Sequence, residues 1–538
     1  MPKLTIDDRP IEVPPGTTIL SAARQAGIPV PALCFLDGMA PRTSCFVCVV
    51  KIRGRPGLAP SCATVVEDGM AVESGTEEVA RARCATLELL VSDHRGDCVA
   101  PCQLACPAGM NIPLMIRHIG AGDLPAAIRT VKQHIALPAV LGRICPAPCE
   151  KACRRAPHDE ALAICLLKRY AADADLGRTA PFTPDRAPAR NKTVAIVGAG
   201  PAGRSAAYYL QQGGYDCTVF DDRERPGGML RYGVSEAALP RAVLDAEIRA
   251  IETLGARFCM KTRVGEDVTL DELRRQFDAV FLAPGELTGI HRRQFEQMTA
   301  AHGIEADAHS LATATPGVFA GGDAVRRTRL AVRACADGRT AAASVDQYLR
   351  GAPVAGLRRP FTTHYGRMTE AELSRFAAGA SPERRKAPSG EGGGFAPGEA
   401  VDESRRCFHC DCRKPDTCLL RQAAGGCGAR VTHYRGHPRI VERLNDHPEI
   451  IYEPAKCIAC GLCVQIAADA GEPLGLTFIG RGFSVRVGVP FGEALTAGLK
   501  KTARACASAC PTGAIALKGE TPGPAPGEPP ARLGAPHV

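Results

Sequence analysis

Tryptophan is absent from the 538 residues, and aromatic side chains make up only 5% of them. Proteins that hold single-stranded nucleic acid stack bases on aromatic residues set among basic ones. No such interleaving occurs here, so the net charge of +9 does not read as a nucleic-acid surface. Also missing is any run approaching the ~18 apolar residues of a membrane-spanning helix. The opening MPKLTIDDRPIEVPPGTTIL lacks the basic-then-apolar layout of an export signal. The expectation is a soluble, cytoplasmic chain with no membrane span. At roughly 100–200 residues per domain it holds about three to five domains. Hydrophobic residues at 45% and charged residues at 23% exclude wholesale disorder and fibrous classes.

What the chain does have is 25 cysteines. In a reducing compartment thiols stay free for metal binding, and most of these fall in tight groups of three or four. Cys84, Cys217, Cys259, Cys335, Cys427 and Cys506 stand alone and read as ordinary buried thiols. Thiolate-ligated iron–sulfur clusters would also explain the charge. Each carries roughly −2 with its ligands, so about five of them bring the holoprotein near neutrality.

The N-terminal stretch has short alternating runs, Lys3-Leu4-Thr5-Ile6 and Ile11-Glu12-Val13, and then a helical stretch from Thr18 to Ala26. Cys34, Cys45, Cys48 and Cys62 follow as C-x10-C-x2-C-x13-C. A close pair flanked by two outlying thiolates suits a 2Fe-2S centre, and four-thiolate zinc is the rival. The segments Pro15-Gly16-Thr17-Thr18-Ile19-Leu20, Cys45-Phe46-Val47-Cys48 and Ser61-Cys62-Ala63-Thr64 resemble the β-grasp domain that opens the large iron–sulfur subunits of complex I, iron hydrogenases and NAD-linked formate dehydrogenases. The resemblance implies 2Fe-2S.

Helix-forming stretches follow at Val79 to Val91 and Ala161 to Asp175, with Cys98, Cys102, Cys106, Cys145, Cys149, Cys153 and Cys165 at and between them. The run Gly142-Arg143-Ile144-Cys145-Pro146-Ala147-Pro148-Cys149-Glu150 resembles the helical two-cluster domain of the glutamate synthase small subunit and dihydropyrimidine dehydrogenase. That resemblance implies two 4Fe-4S clusters. One takes Cys98, Cys102 and Cys153, the other Cys106, Cys145, Cys149 and Cys165. Seven cysteines are one ligand short. His94, in the His-x3-Cys arrangement that opens a histidine-ligated cluster in complex I and hydrogenase relatives, is the candidate eighth. An exposed loop histidine is the alternative reading.

Beyond a Pro- and Arg-rich stretch, Thr193 to Val197 reads as a strand. Gly198-Ala199-Gly200-Pro201-Ala202-Gly203 is the turn, a helix follows, and a second strand ends at Asp221. The glycines admit a pyrophosphate to the helix N-terminus, and the acid sits where a ribose is bound. Gly227-Gly228-Met229-Leu230, Ala283-Pro284-Gly285 and Thr315 to Asp323, with its terminal Gly322-Asp323, resemble the two-dinucleotide-domain flavoproteins, which implies FAD. Those reductases insert a nicotinamide domain between the positions of Gly285 and Thr313. Only 27 residues intervene here, too few for a unit of about a hundred, so that domain is expected to be missing.

Farther on, Cys407, Cys410, Cys412 and Cys418 form C-x2-C-x-C-x5-C. A further 4Fe-4S cluster and a structural zinc both fit, with iron–sulfur favoured by the neighbouring groups and His409 read as a bystander. Cys457, Cys460, Cys463 and the distant Cys510-Pro511 follow the bacterial ferredoxin rule, in which the last cysteine of each run serves the other cluster. Ala467, Lys500 and Ala503 stand where the second set would need thiols, so this module holds one 4Fe-4S.

The expected architecture is multidomain α/β and α+β. It comprises a β-grasp 2Fe-2S domain (1–79), an α-helical 4Fe-4S domain (80–180), a Rossmann-like FAD domain (190–352), a linker (353–400), a Cys-rich segment (401–430), a ferredoxin-like module (431–518) and a disordered tail (519–538). No acid–base pair or nucleophile is evident. The function expected is an electron-transfer subunit of an oxidoreductase complex. It would carry FAD, one 2Fe-2S and about three to four 4Fe-4S clusters, with other oxidoreductase subunits or ferredoxin-type carriers as partners. A self-sufficient NAD(P)H-dependent reductase and a zinc-rich scaffold are the rival readings.

Overall fold

The computed structural model describes residues 1–287, 292, 295–300, 303–434 and 439–519. The expected terminal tail, apart from Gly519, lies outside them. The chain divides into two compact units, each assembled from separated stretches. The described residues of the first lie within 1–99, 360–379 and 410–519, those of the second within 100–359 and 380–409.

The first unit opens with β1 (Lys3–Ile6), β2 (Arg9–Glu12), α1 (Ile19–Gln25), β3 (Val49–Ile52), β4 (Ala59–Pro60) and β5 (Met70–Glu73). The sheet order is β2-β1-β5-β3-β4, with β1 and β5 parallel and the other pairs antiparallel. In β1, Leu4 and Ile6 point inward while Lys3 is exposed. With Ile19, Leu20, Val50 and Val72 they form a closed apolar core under α1. Thr18 caps α1 by accepting from the Ser21 amide, the usual device for an orphan N–H. Thr76 does the same for α2 (Glu77–Asp93), which ends at His94.

The C-terminal part of this unit pairs Ile450–Tyr452 antiparallel with Ile515–Leu517. Helices Leu462–Asp469 and Ala503–Ala509 lie over that ribbon around Tyr452, Ile466, Ala467 and Ala507.

The second unit begins with six helices: α3 (Pro101–Ala105), α4 (Ile112–Gly120), α5 (Leu124–Lys132), α6 (Pro138–Ile144), α7 (Pro148–Lys151) and α8 (Ile164–Leu176). Proline occupies the first turn of α3 to α7, where its missing N–H costs nothing. Then come β6 (Thr193–Val197), α9 (Pro201–Gln212), β7 (Asp216–Asp221), α10 (Met229–Tyr232), α11 (Arg241–Thr253), β8 (Arg257–Met260), α12 (Leu270–Gln276), β9 (Ala279–Leu282), β10 (Thr299–Ala300), β11 (Gly303–Ile304) and β12 (Val318–Ala320). The five-stranded sheet β12-β9-β6-β7-β8 is wholly parallel, and β9 and β12 are buried along their full length. Helix Ala331–Leu349 lies along α9, so closely that a Cβ on Gly338 would fall 2.1 Å from the Ala202 carbonyl oxygen.

Two expectations about the middle of the chain are revised. Residues 353–400 are not a plain linker. Thr363, Tyr365 and Phe376 are buried, helix Glu370–Ala377 carries a capping box, and the stretch is shared between the two units. The Cys-rich segment 401–430 is likewise divided, with Cys407 in the second unit and Cys410, Cys412 and Cys418 in the first. Between β9 and β12 the described residues form a 3-10 turn, Glu296–Met298, and the two-stranded antiparallel pair β10–β11. The one five-stranded parallel sheet among the described residues is the sheet above.

Candidate functional site: thiolate sets and a dinucleotide loop

Cys34, Cys45, Cys48 and Cys62 are all buried and touch one another in a chain that runs from Cys45 through Cys34 and Cys62 to Cys48. A hydrogen bond from Cys45 holds the Cys34 thiol far below its ordinary value, and one from Cys62 brings Cys48 down to about 6. Burial of four bare thiols with shared protons is unfavourable, and iron replacing those protons relieves it. Four thiolates in one group match the four ligands a core of two irons takes.

In the same unit Cys457, Cys460, Cys463 and Cys510 line one cavity together with Tyr452 and Ile515. Burial pushes Cys460 up to about 12, with Cys510 and Cys457 adding like-charge repulsion. Cys506 stays apart from this set. It is fully buried, and its thiol points at the Cys463 carbonyl. Cys34 and Cys45 of the first set and Cys460 of this one share a single apolar cluster with Leu33, Val91 and Leu462, so little more than side-chain packing separates the two sets.

The third group departs from the expected ligand sets. Cys98 belongs to the first unit, while Cys102 and Cys153 belong to the second. Cys98 lies instead beside Cys412 and Cys418. Burial pushes up both of those thiols, Cys418 to about 12, and Cys98 adds to the effect on each. The local reason is that residues 95–98 are bound to distant segments. Arg95 donates its amide to the Ala455 carbonyl, Thr363 donates to the Gly96 carbonyl, and Asp97 accepts from the Tyr365 amide. Cys412 packs on Gly513, and Cys418 approaches the Pro511 carbonyl, both in the loop that carries Cys510.

His94 is not an exposed loop residue. It is buried, its Nδ1 has no hydrogen-bond partner, and burial keeps the ring neutral by bringing it down to about 4. A neutral imidazole with an orphaned nitrogen fits a metal ligand. Among the described residues no three Cys, His, Asp or Glu side chains converge as they would round a single ion. Cluster ligands do not converge in that way, since thiolates bond different irons of the core.

In the second unit Cys106, Cys145, Cys149 and Cys165 come together. A hydrogen bond from Cys165 lowers Cys145 to about 6. Burial, then Cys106, pushes Cys149 up to about 12. Three caps fix the backbone here. Cys145 ends α6, the amide of Cys165 donates to Glu150 at 2.9 Å, and the amide of Ala163 donates to Glu403 at 2.8 Å. Cys102 is on α3, which packs against α7, and Cys153 follows α7.

Sequence reasoning missed Lys168. One turn beyond Cys165 on α8, it is only 4% exposed, and all four cysteines of the set raise its pKa against the desolvation that lowers it. The i, i+3 spacing from Cys165 was the available signal. A buried ammonium beside a cluster site favours the reduced, more negative state. Lys168→Met is expected to keep the iron but lower that cluster's midpoint potential, read by anaerobic redox titration with electron paramagnetic resonance. An unchanged potential would refute this role.

The dinucleotide loop is tight. Gly198 has φ +104°, and a Cβ there would lie 2.2 Å from the Ala283 carbonyl oxygen. Its own carbonyl oxygen would be 1.9 Å from a Cβ on Gly203. Gly200 opens α9, with Pro201 and Ala202 in the first turn and nothing within 4 Å of its missing Cβ. Gly228 has positive φ, packs on Gly200 and precedes Met229 and Leu230 of α10.

Asp221 accepts from the amides of Ala199 and Arg223. Asp323 accepts from the amides of Thr328 and Arg329. The amide of Gly322 donates to Asp337, and Gly285, at φ +87°, faces open space. Arg204, on the same helix, is fully buried, and both terminal guanidinium nitrogens are unpartnered among the described residues. Open space over Gly200 and Gly285 and an orphaned cation fit an anionic cofactor.

Comparison with known proteins agrees with the domain types. Residues 2–77 match the model of a 2Fe-2S iron-sulfur cluster binding domain, and 75–179 that of dihydropyrimidine dehydrogenase domain II, 4Fe-4S cluster. Residues 196–259 match an NAD(P)-binding Rossmann-like domain. The chain carries iron–sulfur domains of the oxidoreductase class.

It is 43% identical over 213 residues to the beta subunit of an NADP(+)-dependent formate dehydrogenase of Moorella thermoacetica, covering 36% of this chain and 30% of that one. It is 42% identical over 188 residues to the beta subunit of an NADPH-Fe(3+) oxidoreductase of Geobacter sulfurreducens, covering 35% and 28%. A third relative is the PreT subunit of NAD-dependent dihydropyrimidine dehydrogenase of Escherichia coli, 36% identical over 199 residues, covering 37% and 48%. The iron–sulfur chain thus spans under a third of the length of the first two relatives and about half of the third. Among its described residues no helix is long and apolar enough to cross a membrane.

Proposed function

We propose that this chain is the electron-transferring flavoprotein subunit of a cytoplasmic oxidoreductase complex, holding FAD in the Rossmann-like domain and exchanging electrons with other subunits or ferredoxin-type carriers. When bound, FAD converts between electron pairs and single electrons, and the clusters carry single electrons. The observation that carries the reading is the pairing of an intact pyrophosphate loop with the lack, among the described residues, of a second parallel sheet between β9 and β12.

The amides at the start of α9 and the guanidinium of Arg204 receive the anionic part of the dinucleotide, and Gly198 and Gly203 let it approach the backbone. The apolar packing around Cys34, Cys45 and Cys460 excludes water between two thiolate sets. Lys168 offsets charge at the Cys106, Cys145, Cys149 and Cys165 set. Of the remaining thiols we assign Cys98, Cys412 and Cys418, with His94, to one cluster.

The test is anaerobic purification followed by metal, sulfide and flavin analysis and NAD(P)H titration. The expected result is stoichiometric FAD, iron with matching sulfide, little zinc, and no bleaching by NADH or NADPH unless a partner protein is added. Bleaching by either nucleotide alone would establish the self-sufficient reductase instead. Zinc in place of iron would establish the scaffold.

A further inference from the structure

Two cysteines outside every ligand set, distant in sequence, come into contact in the first unit. Cys84 on α2 and Cys427, the last residue of helix Leu419–Cys427, have their sulfurs 2.7 Å apart, although 343 positions separate them. The Cys84 sulfur also lies 3.3 Å from the Cys427 carbonyl. Cys427 is exposed and Cys84 half-buried, so a small reagent can reach the pair. Among the other thiols outside the ligand sets, Cys217, Cys335 and Cys506 are at most 1% exposed. We propose that Cys84 and Cys427 form a reversible disulfide, a redox modification site that staples α2 to the helix carrying Cys418.

The surroundings hold the two helices in register for this bond. One turn along α2 from Cys84, Glu88 accepts from the Arg430 amide at 2.9 Å and pairs with His433 just beyond the second helix. Cys84 packs on the edge of the apolar cluster that contains Cys34, Cys45, Cys418 and Cys460. The second helix begins at Cys418, whose sulfur accepts from the Arg421 amide. A covalent link at its far end therefore restrains the helix that presents a cluster ligand.

The oxidant is a low-molecular-weight disulfide of the glutathione type. One protein thiolate attacks it, forming a mixed disulfide and releasing one glutathione thiol. The second protein thiolate then displaces the other glutathione. Two protein thiols and one external disulfide become one protein disulfide and two external thiols, with no electrons left over. A dithiol reductant reverses the exchange. Accessible, reversible pairs of this kind are the regulatory ones, in contrast to buried structural thiols.

The experiment holds the anaerobic holoprotein with oxidised glutathione, alkylates the remaining thiols and maps peptides by mass spectrometry. The expected product is a cross-link between the peptides carrying Cys84 and Cys427, reversed by dithiothreitol, with the visible cluster absorption unchanged. Cys84→Ser and Cys427→Ser should each abolish the cross-link, retain glutathione on the remaining cysteine and keep the iron content. Cys427→Ser, at the exposed helix end, serves should Cys84→Ser fold poorly. The proposal is overturned if both thiols are alkylated after the incubation, or if either cross-links to a different cysteine. A wild-type chain in which the mixed disulfide with glutathione persists on Cys427 would overturn it as well.

Discussion

A chain carrying Gly203→Ala is expected to purify without flavin while its thiolate sets keep their iron. The added methyl would stand 1.9 Å from the Gly198 carbonyl oxygen and 3.0 Å from the Ile196 side chain. Neither neighbour can retreat. Gly198 is held at φ +104°, its amide donates to the Phe220 carbonyl at 2.7 Å, and Ile196 is fully buried in β6 between β9 and β7. The turn must then open where the pyrophosphate meets the α9 amides, and short charge-assisted hydrogen bonds are lost. Retention should fall at least ~100-fold, about 2.7 kcal/mol. Gly398→Ala is the control, since nothing lies within 4 Å of its missing Cβ. Acid-extracted flavin per iron is the readout. A Gly203→Ala chain with a full complement of flavin would sink the assignment of this loop.

The second large effect is expected at Glu247. This residue of α11 is 4% exposed, and its carboxylate accepts from the amides of Ala139 and Val140 at 2.7 and 2.9 Å. Those amides open α6, whose own N-cap, Leu137, offers no side-chain acceptor. A carboxylate 107 positions away thus caps the helix that ends at Cys145. Glu247→Ala leaves two buried donors without partners at about 1–3 kcal/mol each, so destabilisation of about 2–6 kcal/mol is expected, with earlier loss of iron from the Cys145 set on heating.

Burial pushes the Glu247 carboxyl up to about 7 against the two amides that hold it down. A folded-state value above the ordinary one makes this contribution full below about 4.5, and it is lost as pH rises through about 7. The gap between wild type and Glu247→Ala should therefore be widest at about pH 4.5 and narrow toward pH 8, followed by thermal melting across that range. A gap that does not change with pH would contradict the cause given.

How far the sequence speaks depends on where the partners of each residue lie. Thiols spaced C-x10-C-x2-C-x13-C along one fold, and glycines between a strand and its own helix, meet through local chain geometry, and the spacing alone places them together. The grouping of Cys106 with Cys145, Cys149 and Cys165 came from the family resemblance and not from spacing, and the fold brings these four thiols together. Cys98 is different. The family resemblance implied a cluster shared with Cys102 and Cys153, but the hydrogen bonds of Gly96 and Asp97 to residues 363–365 place it in the first unit beside Cys412 and Cys418. Lys168, Glu247 and Arg204 went unnoticed because a charged residue on a helix normally reads as a solvated face, and burial is decided by what packs over it.

The sequence by itself therefore determined the domain types, the glycine loop and the spacing of the thiols. These follow from contacts within a few dozen residues, and backbone sterics and ligand number fix them. Only the tertiary structure decided the grouping of Cys98, the burial of His94, the division of residues 353–430 between two units and the meeting of Cys84 with Cys427. Each of those depends on segments hundreds of positions apart being brought together by apolar burial, a force with no direction and hence no signature in spacing.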